Sequence, residues 1–184
     1  MDEDQRAIAE CQMGKAASYR FLVEKYKVRV YRVALLYTGN REDALDFSQE
    51  AFCRAFRAIK TFKTGKSFYV WLYEIIKNIC INHHRRRNRY RPLPDDNEQQ
   101  VAQETILAVA RPDEIFEEHE MRDLLWGAIN KLKAQDREII MLKEFDDLSY
   151  EQISAVLSIP RGSVMSRLYY ARQRLAKLLG RDYE

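Results

Sequence analysis

Apolar residues recur at steps of three and four along most of this chain, the spacing that puts them on one face of an α-helix. Leu22, Tyr26, Val30, Val33 and Tyr37 carry that period from Lys15 to Tyr37. Thr38-Gly39-Asn40 closes the segment. A shorter helix is predicted before it, from Asp4 to Met13, ended by Gly14. Phe52, Phe56 and Ile59 mark the inner side of the next, Glu42 to Lys60, while Asp43, Asp46, Gln49 and Glu50 lie on its other side. Leu72, Ile75, Ile76 and Ile79 then define the buried stripe of a long helix from Phe68 to about Arg89. Three such helices make a compact bundle.

The pattern resumes after a break. Helices are expected from Glu114 to Leu132 and from Ala134 to Phe145, and a two-helix motif follows. Ser149 caps its first helix, and Gln152 three residues later completes a capping box. Ile153, Val156 and Leu157 give that helix its buried side. Ser158-Ile159-Pro160 ends it, since proline has no amide and biases Ile159 away from α. Helix restarts between Arg161 and Ser163, so the pair reads as a helix-turn-helix, whose second helix can enter a DNA major groove.

Projected at 3.6 residues per turn, that second helix turns Val164, Leu168, Ala171, Leu175 and Leu178 inward. Ser166, Tyr169 and Gln173 lie opposite, with Met165 and Tyr170 beside them and Arg161, Arg167, Arg172 and Arg174 on the flanks. No Asp or Glu occurs from Arg161 to Arg181. A polar, aromatic strip between arginine rails suits base edges in the middle and phosphates on either side. The plain alternative is a solvated basic helix.

The fold class is therefore all-α, and composition agrees: Gly and Pro are sparse while Leu, Ala, Arg and Glu are plentiful. The net charge of +3 excludes a polybasic coat, so the placement of charge matters more than its sum. From Lys77 to Arg91 there are six Lys or Arg and no acid; from Pro92 to Glu120 nine acids face a single Arg111. That reversal, beside Pro92, Pro94 and Pro112, marks an acidic linker. It divides the chain into a domain at residues 1–91, a linker at 92–112 and a second domain at 113–184.

Phe62, Phe68, Tyr69, Trp71 and Tyr73 cluster around the polar loop from Lys63 to Ser67 beside a basic helix, with Lys63, Lys66 and Asn78 as polar candidates near the same edge. These are the ingredients of a single-strand platform. The alternative is that Phe68 and Trp71 fill the bundle core.

Enzymatic readings fare poorly. Gly65-Lys66-Ser67 is not a phosphate-binding loop, because Lys60 stands where a further glycine is required and a helix leads in. Cys80, His83 and His84 have no second ligand cluster, so no metal is expected. There is no nucleophile elbow and no convincing carboxylate pair or Ser-His-Asp set, hence no enzyme, no cofactor and no small-molecule substrate. Three cysteines form no staple pattern, no apolar run reaches a membrane span, and the acidic start is unlike a signal peptide; a cytoplasmic protein is expected. The acidic face with Asp46, Gln49 and Glu50 repels phosphate, which points to a protein partner.

Asn40 to Asp46, Gln49 to Phe52 and Arg54 to Phe56, followed by Phe68 to Asn78 before a run of arginines, closely resemble region 2 of bacterial sigma factors. Leu148 to Ser154 and Ile159 to Leu168 resemble region 4. Nothing stands for regions 1 or 3, so the resemblance is to the small extracytoplasmic-function (ECF) group. Ser163 stands where that family usually has threonine, and Met165 where a basic residue is common. The resemblance implies that Asp46, Gln49, Glu50, Phe52 and Arg54 bind the clamp helices of the largest subunit of core RNA polymerase, with the flap as a further contact. It implies that Phe62, Lys63, Lys66, Ser67, Phe68, Tyr69 and Asn78 hold an unpaired base of the −10 promoter element. Arg161, Ser163, Met165, Ser166, Arg167, Tyr169, Tyr170, Arg172 and Arg174 would read the −35 element as duplex. The acidic linker would thread toward the RNA exit path, and an anti-sigma factor would mask these surfaces. The rivals are a free-standing helix-turn-helix regulator and an enzyme acting on nucleic acid.

Overall fold

The computed structural model describes residues 2–63, 65–90 and 116–180. Every regular element among them is helical, and the chain forms two compact units, Met1–Asp96 and Asn97–Glu184. The linker expected at 92–112 and the start of the helix expected from Glu114 lie outside the described residues.

In the first unit α1 spans Glu3–Gln12, α2 Tyr19–Thr38, α3 Arg41–Ala58 and α4 Phe68–Tyr90, with single 3₁₀ turns at Ala16–Ser18 and Ile59–Thr61. Gly39 ends α2 in the left-handed conformation (φ 64°), where a side chain would be strained. Asn40 then starts α3, its side chain accepting from the Asp43 amide at 3.0 Å. Helices α2, α3 and α4 pack against one another in all three pairs, and α1 lies against α2 and the Ile59–Thr61 turn. Leu22, Tyr26, Val30, Val33, Ile59, Leu72, Ile76 and Ile79 form the core, as their spacing predicts. Phe56 does not join them: it is 41% exposed, its ring 4.9 Å from that of Tyr19. Small Ala44, Ala51 and Ala55 take the inner face of α3 instead, which lets the helix backbones approach closely.

In the second unit α5 spans Phe116–Lys131, α6 Ala134–Ile140, α7 Tyr150–Leu157 and α8 Arg161–Leu178. A π turn, Met141–Phe145, extends α6. The Ser149/Gln152 capping box is formed in both directions, at 3.2 and 2.8 Å. The corner after α7 is turned by Ser158 in the left-handed conformation (φ 53°), and Ser154 Oγ donates to the Ile159 carbonyl at 2.6 Å to hold it. Val164, Leu168 and Ala171 are buried in α8, but Leu178, expected on the same face, is 43% exposed.

Candidate nucleic-acid and protein interfaces

The outer surface of α8 follows from its inner one. With Val164, Leu168 and Ala171 buried, Met165, Ser166, Arg167, Tyr169 and Tyr170 stand in solvent, and Ser163 is half-buried in the first turn. The rings of Tyr169 and Tyr170 meet edge to face at 5.4 Å, and Gln173 donates to the Tyr169 hydroxyl at 2.9 Å, which limits the freedom of that ring. Ser166 Oγ donates back to the Gly162 carbonyl at 3.1 Å.

The arginine rails are not equivalent. Arg161 pairs with Glu151 at 2.8 Å, and Arg172 donates to Glu144 from Nε at 3.0 Å and Nη2 at 2.6 Å. The Glu151 carboxyl is held below its ordinary value first by its own backbone amide, then by Ser149, with a smaller contribution from Arg161. Arg174 is turned inward: Nη1 donates to both oxygens of the buried Asp136 carboxylate at 2.8 Å. Arg174 thus neutralises a desolvated carboxylate within the unit, while about half of its side chain, 53%, stays in solvent. Arg167 is exposed and makes no ion pair among the described residues.

On the first unit the loop between α3 and α4 presents Lys63 and Lys66 to solvent, with Ser67 half-buried and accepting from the Val70 amide at 3.4 Å. Phe62, Phe68 and Tyr69 are turned the other way, 6%, 1% and 2% exposed. Phe62 and Phe68 pack on Trp71 at 5.1 and 5.7 Å between centroids. Tyr69 stacks on Tyr26 at 5.5 Å and carries the Arg29 guanidinium at 5.5 Å over its ring. These three rings are buried among their neighbours, so the groups the loop presents to solvent are Lys63 and Lys66. Asn78 is exposed on α4, ten residues past Phe68 and so about 15 Å further along the axis.

Two residues that the periodicity did not single out hold this loop. Gln5 accepts from the Gly65 amide at 3.0 Å and donates to the Lys66 carbonyl at 2.9 Å. Gln12 donates to the carbonyls of Ile59 at 3.0 Å and Phe62 at 2.9 Å. Helix α1 is itself tied to α2 through buried Asp4, which accepts from Lys25 at 2.6 Å and from the Tyr26 hydroxyl. No local signal marks the partners of Gln5 and Gln12, which are 47 to 61 residues away along the chain.

On α3, Asp46, Gln49, Glu50 and Arg54 are exposed, and Arg54 Nε donates to Glu50 at 2.9 Å. Phe52 is 8% exposed, its carbonyl accepting from the Tyr19 hydroxyl at 2.8 Å, so it braces the face from within. Leu45 (52% exposed) and Phe56 join Gln49 along one edge, giving the acidic face an apolar border. The sequence signal for Leu45 was its place among the polar positions of that helix.

Cys80 is buried, and desolvation pushes its thiol up to about 12; His83 is exposed at the end of the bundle with its ring 4.7 Å from Phe47. Among the described residues no group of three or more His, Cys, Asp or Glu is placed to hold a metal ion. Among them, too, no helix is long and apolar enough to cross a membrane.

A helical unit with a basic loop and an acidic helix face with apolar edges, and a second unit with a helix-turn-helix, carry the surfaces that suit a DNA-directed protein with a protein partner. Residues 22–90 match the family model of sigma-70 region 2, and residues 122–175 that of sigma-70 region 4. The RNA polymerase sigma-H factor of Pseudomonas aeruginosa is 31% identical over 182 residues, covering 97% of this chain and 94% of that protein. The ECF RNA polymerase sigma-E factor of Escherichia coli K12 is 31% identical over 176 residues, covering 94% and 92%. Among solved structures, the sigma factor RpoE of Bartonella quintana, in complex with the anti-sigma factor NepR, superposes with a TM-score of 0.64 at 25% identity over 89% of this chain and 99% of that one. CnrH in complex with the cytosolic domain of CnrY shares the fold, with a TM-score of 0.69 at 23% identity over 97% and 98%.

The chain belongs to the ECF group of the sigma-70 family, a family of non-catalytic initiation factors. It directs promoter-specific initiation of transcription with RNA polymerase.

Proposed function

We propose the following division of labour. The exposed face of α3, with Asp46, Gln49, Glu50 and Arg54 bordered by Leu45 and Phe56, docks on the clamp helices of core RNA polymerase, and the flap receives the second unit. Lys63, Lys66, Ser67 and Asn78 engage the melted −10 element, the buried rings beneath them serving as support. Ser163, Met165, Ser166, Tyr169 and Tyr170 read the −35 duplex, with Arg161, Arg167 and Arg172 on its phosphates. The chain works in the cytoplasm, has no chemistry of its own, and offsets the cost of base-pair opening by holding the parted strand.

The observation that carries this reading is the exposed acidic face of α3 on a chain whose loop and recognition helix are basic. Phosphates are repelled from such a face, while its Leu45 and Phe56 edges supply the apolar area that a protein interface uses. An anti-sigma factor that covers these surfaces is part of the same proposal; the Bartonella quintana relative was solved with one.

The test is transcription in vitro from genomic fragments with purified core polymerase, mapping start sites with and without this chain. Start sites that depend on the chain support the assignment. A free-standing regulator predicts the reverse: tight occupation of promoter duplex by the chain alone and no start-site activity gained by polymerase.

A further inference from the structure

We infer that Gln5 and Gln12 of α1 are positioning residues for base capture, holding the backbone at Ile59, Phe62, Gly65 and Lys66 in the shape that admits the unpaired base. This deepens the reading of the Phe62–Ser67 loop given above and rests on it.

The two glutamines are seven residues apart, two helical turns, so α1 presents both on one face. They grip the loop at its two ends, Gln12 at the carbonyls of Ile59 and Phe62 and Gln5 at Gly65 and Lys66. Gln5 uses both halves of its amide, accepting from one backbone group and donating to the next, as a paired strand would. A glutamate could not make the donation, and a lysine could not accept.

The loop does little to shape itself. Among the described residues its own backbone closures are the Phe62 amide to the Ile59 carbonyl at 3.1 Å and a long bond from the Lys66 amide to the Lys63 carbonyl at 3.4 Å, and Gly65 sits in the left-handed region (φ 88°), open to many conformations. Gln5 fixes Gly65 and the exposed Lys66 directly, and Lys63 nearby is exposed as well. Because α1 is anchored through Asp4 to Lys25 and Tyr26, the clamp is referred to the bundle core rather than to a mobile end. A backbone fixed before binding loses little freedom when a base enters, and only a fixed backbone can favour one base over another. The N-terminal helix is thus part of the −10 reading apparatus without touching DNA.

The experiment uses holoenzyme assembled with core polymerase and premelted promoter templates carrying each of the four bases at the captured position. The wild type should bind one base in preference to the others. In Gln5→Ala/Gln12→Ala that preference should fall by about tenfold. Gln5→Glu, which keeps the acceptor toward Gly65 but loses the donation to Lys66, should fall in between. Association with core polymerase and affinity for −35 duplex should be unchanged, and the melting temperature of the Gln5→Glu chain should stay within about 2 °C of wild type. Undiminished base preference in both variants overturns the clamp while leaving loop capture standing. If the wild type has no preference, loop capture falls and the clamp falls with it.

Discussion

Arg174 Nη1 donates to both carboxylate oxygens of Asp136 at 2.8 Å, joining the recognition helix to the first turn of α6 across 38 residues of chain. Asp136 is 8% exposed, so the arginine is what makes its burial tolerable. Arg174→Ala should leave that carboxylate unpaired and lower the stability of the second unit by about 2 kcal/mol, discounted because the arginine itself is half in solvent. Urea unfolding of the full chain checks this; a loss of only a few tenths would return Arg174 to the DNA-facing set.

Arg167 gives the contrasting case. Exposed and without an ion pair among the described residues, it is the guanidinium most readily offered to a phosphate. Arg167→Ala should weaken −35 duplex binding across sequences and make the slope of log affinity against log salt shallower by about 0.9. Titrations at several salt concentrations should show Arg174→Ala running parallel to wild type.

The corner of the helix-turn-helix contains a correctable strain. Ser158 is exposed at φ 53°, a conformation that costs a residue with a Cβ more than it costs glycine. Ser158→Gly should raise stability by about 0.5 kcal/mol net, with duplex affinity unchanged. A lowered urea midpoint would mean that the serine contributes something beyond its backbone angle.

Burial of Cys80 gives the first unit an alkaline limit. Desolvation pushes the native thiol up to about 12 from its ordinary value of 9.0, which the unfolded chain keeps. Between those values the folded chain keeps a proton that the unfolded chain has lost, so stability declines as pH rises, by about 1.4 kcal/mol per pH unit for this one group. Below pH 9 the contribution is fully present. Cys11, also raised by burial, adds to the decline, and Tyr19 and Tyr26 join it only above about pH 10. Unfolding free energies measured from pH 9 to 11 should decline more steeply in wild type than in Cys80→Ala, the difference in slope approaching about one proton above pH 10.

Much of this architecture was legible in the residue order, because helical period and capping chemistry are local. The stripe from Leu22 to Val33, the Ser149/Gln152 box and the outward strip of Met165, Ser166, Tyr169 and Tyr170 each depend on neighbours within a few residues. So do the two motifs that carry the family resemblance. Local period also placed Phe56 and Leu178 inward. Both are exposed, because an apolar arc is buried only as far as a neighbouring helix extends over it.

What the order of residues determined, then, was the set of helices, their faces and the kind of surface each could offer. Only the packed chain decided that Phe62, Phe68 and Tyr69 are buried, packed against Trp71, Tyr26 and Arg29. It alone sent Arg174 to Asp136 and left Arg167 to solvent, and it alone brought Gln5 and Gln12 onto the loop. The physical reason is range. A period says which side of a helix is apolar, but a desolvated carboxylate or an unpaired carbonyl many residues away chooses the partner, and that choice exists only once the helices have met.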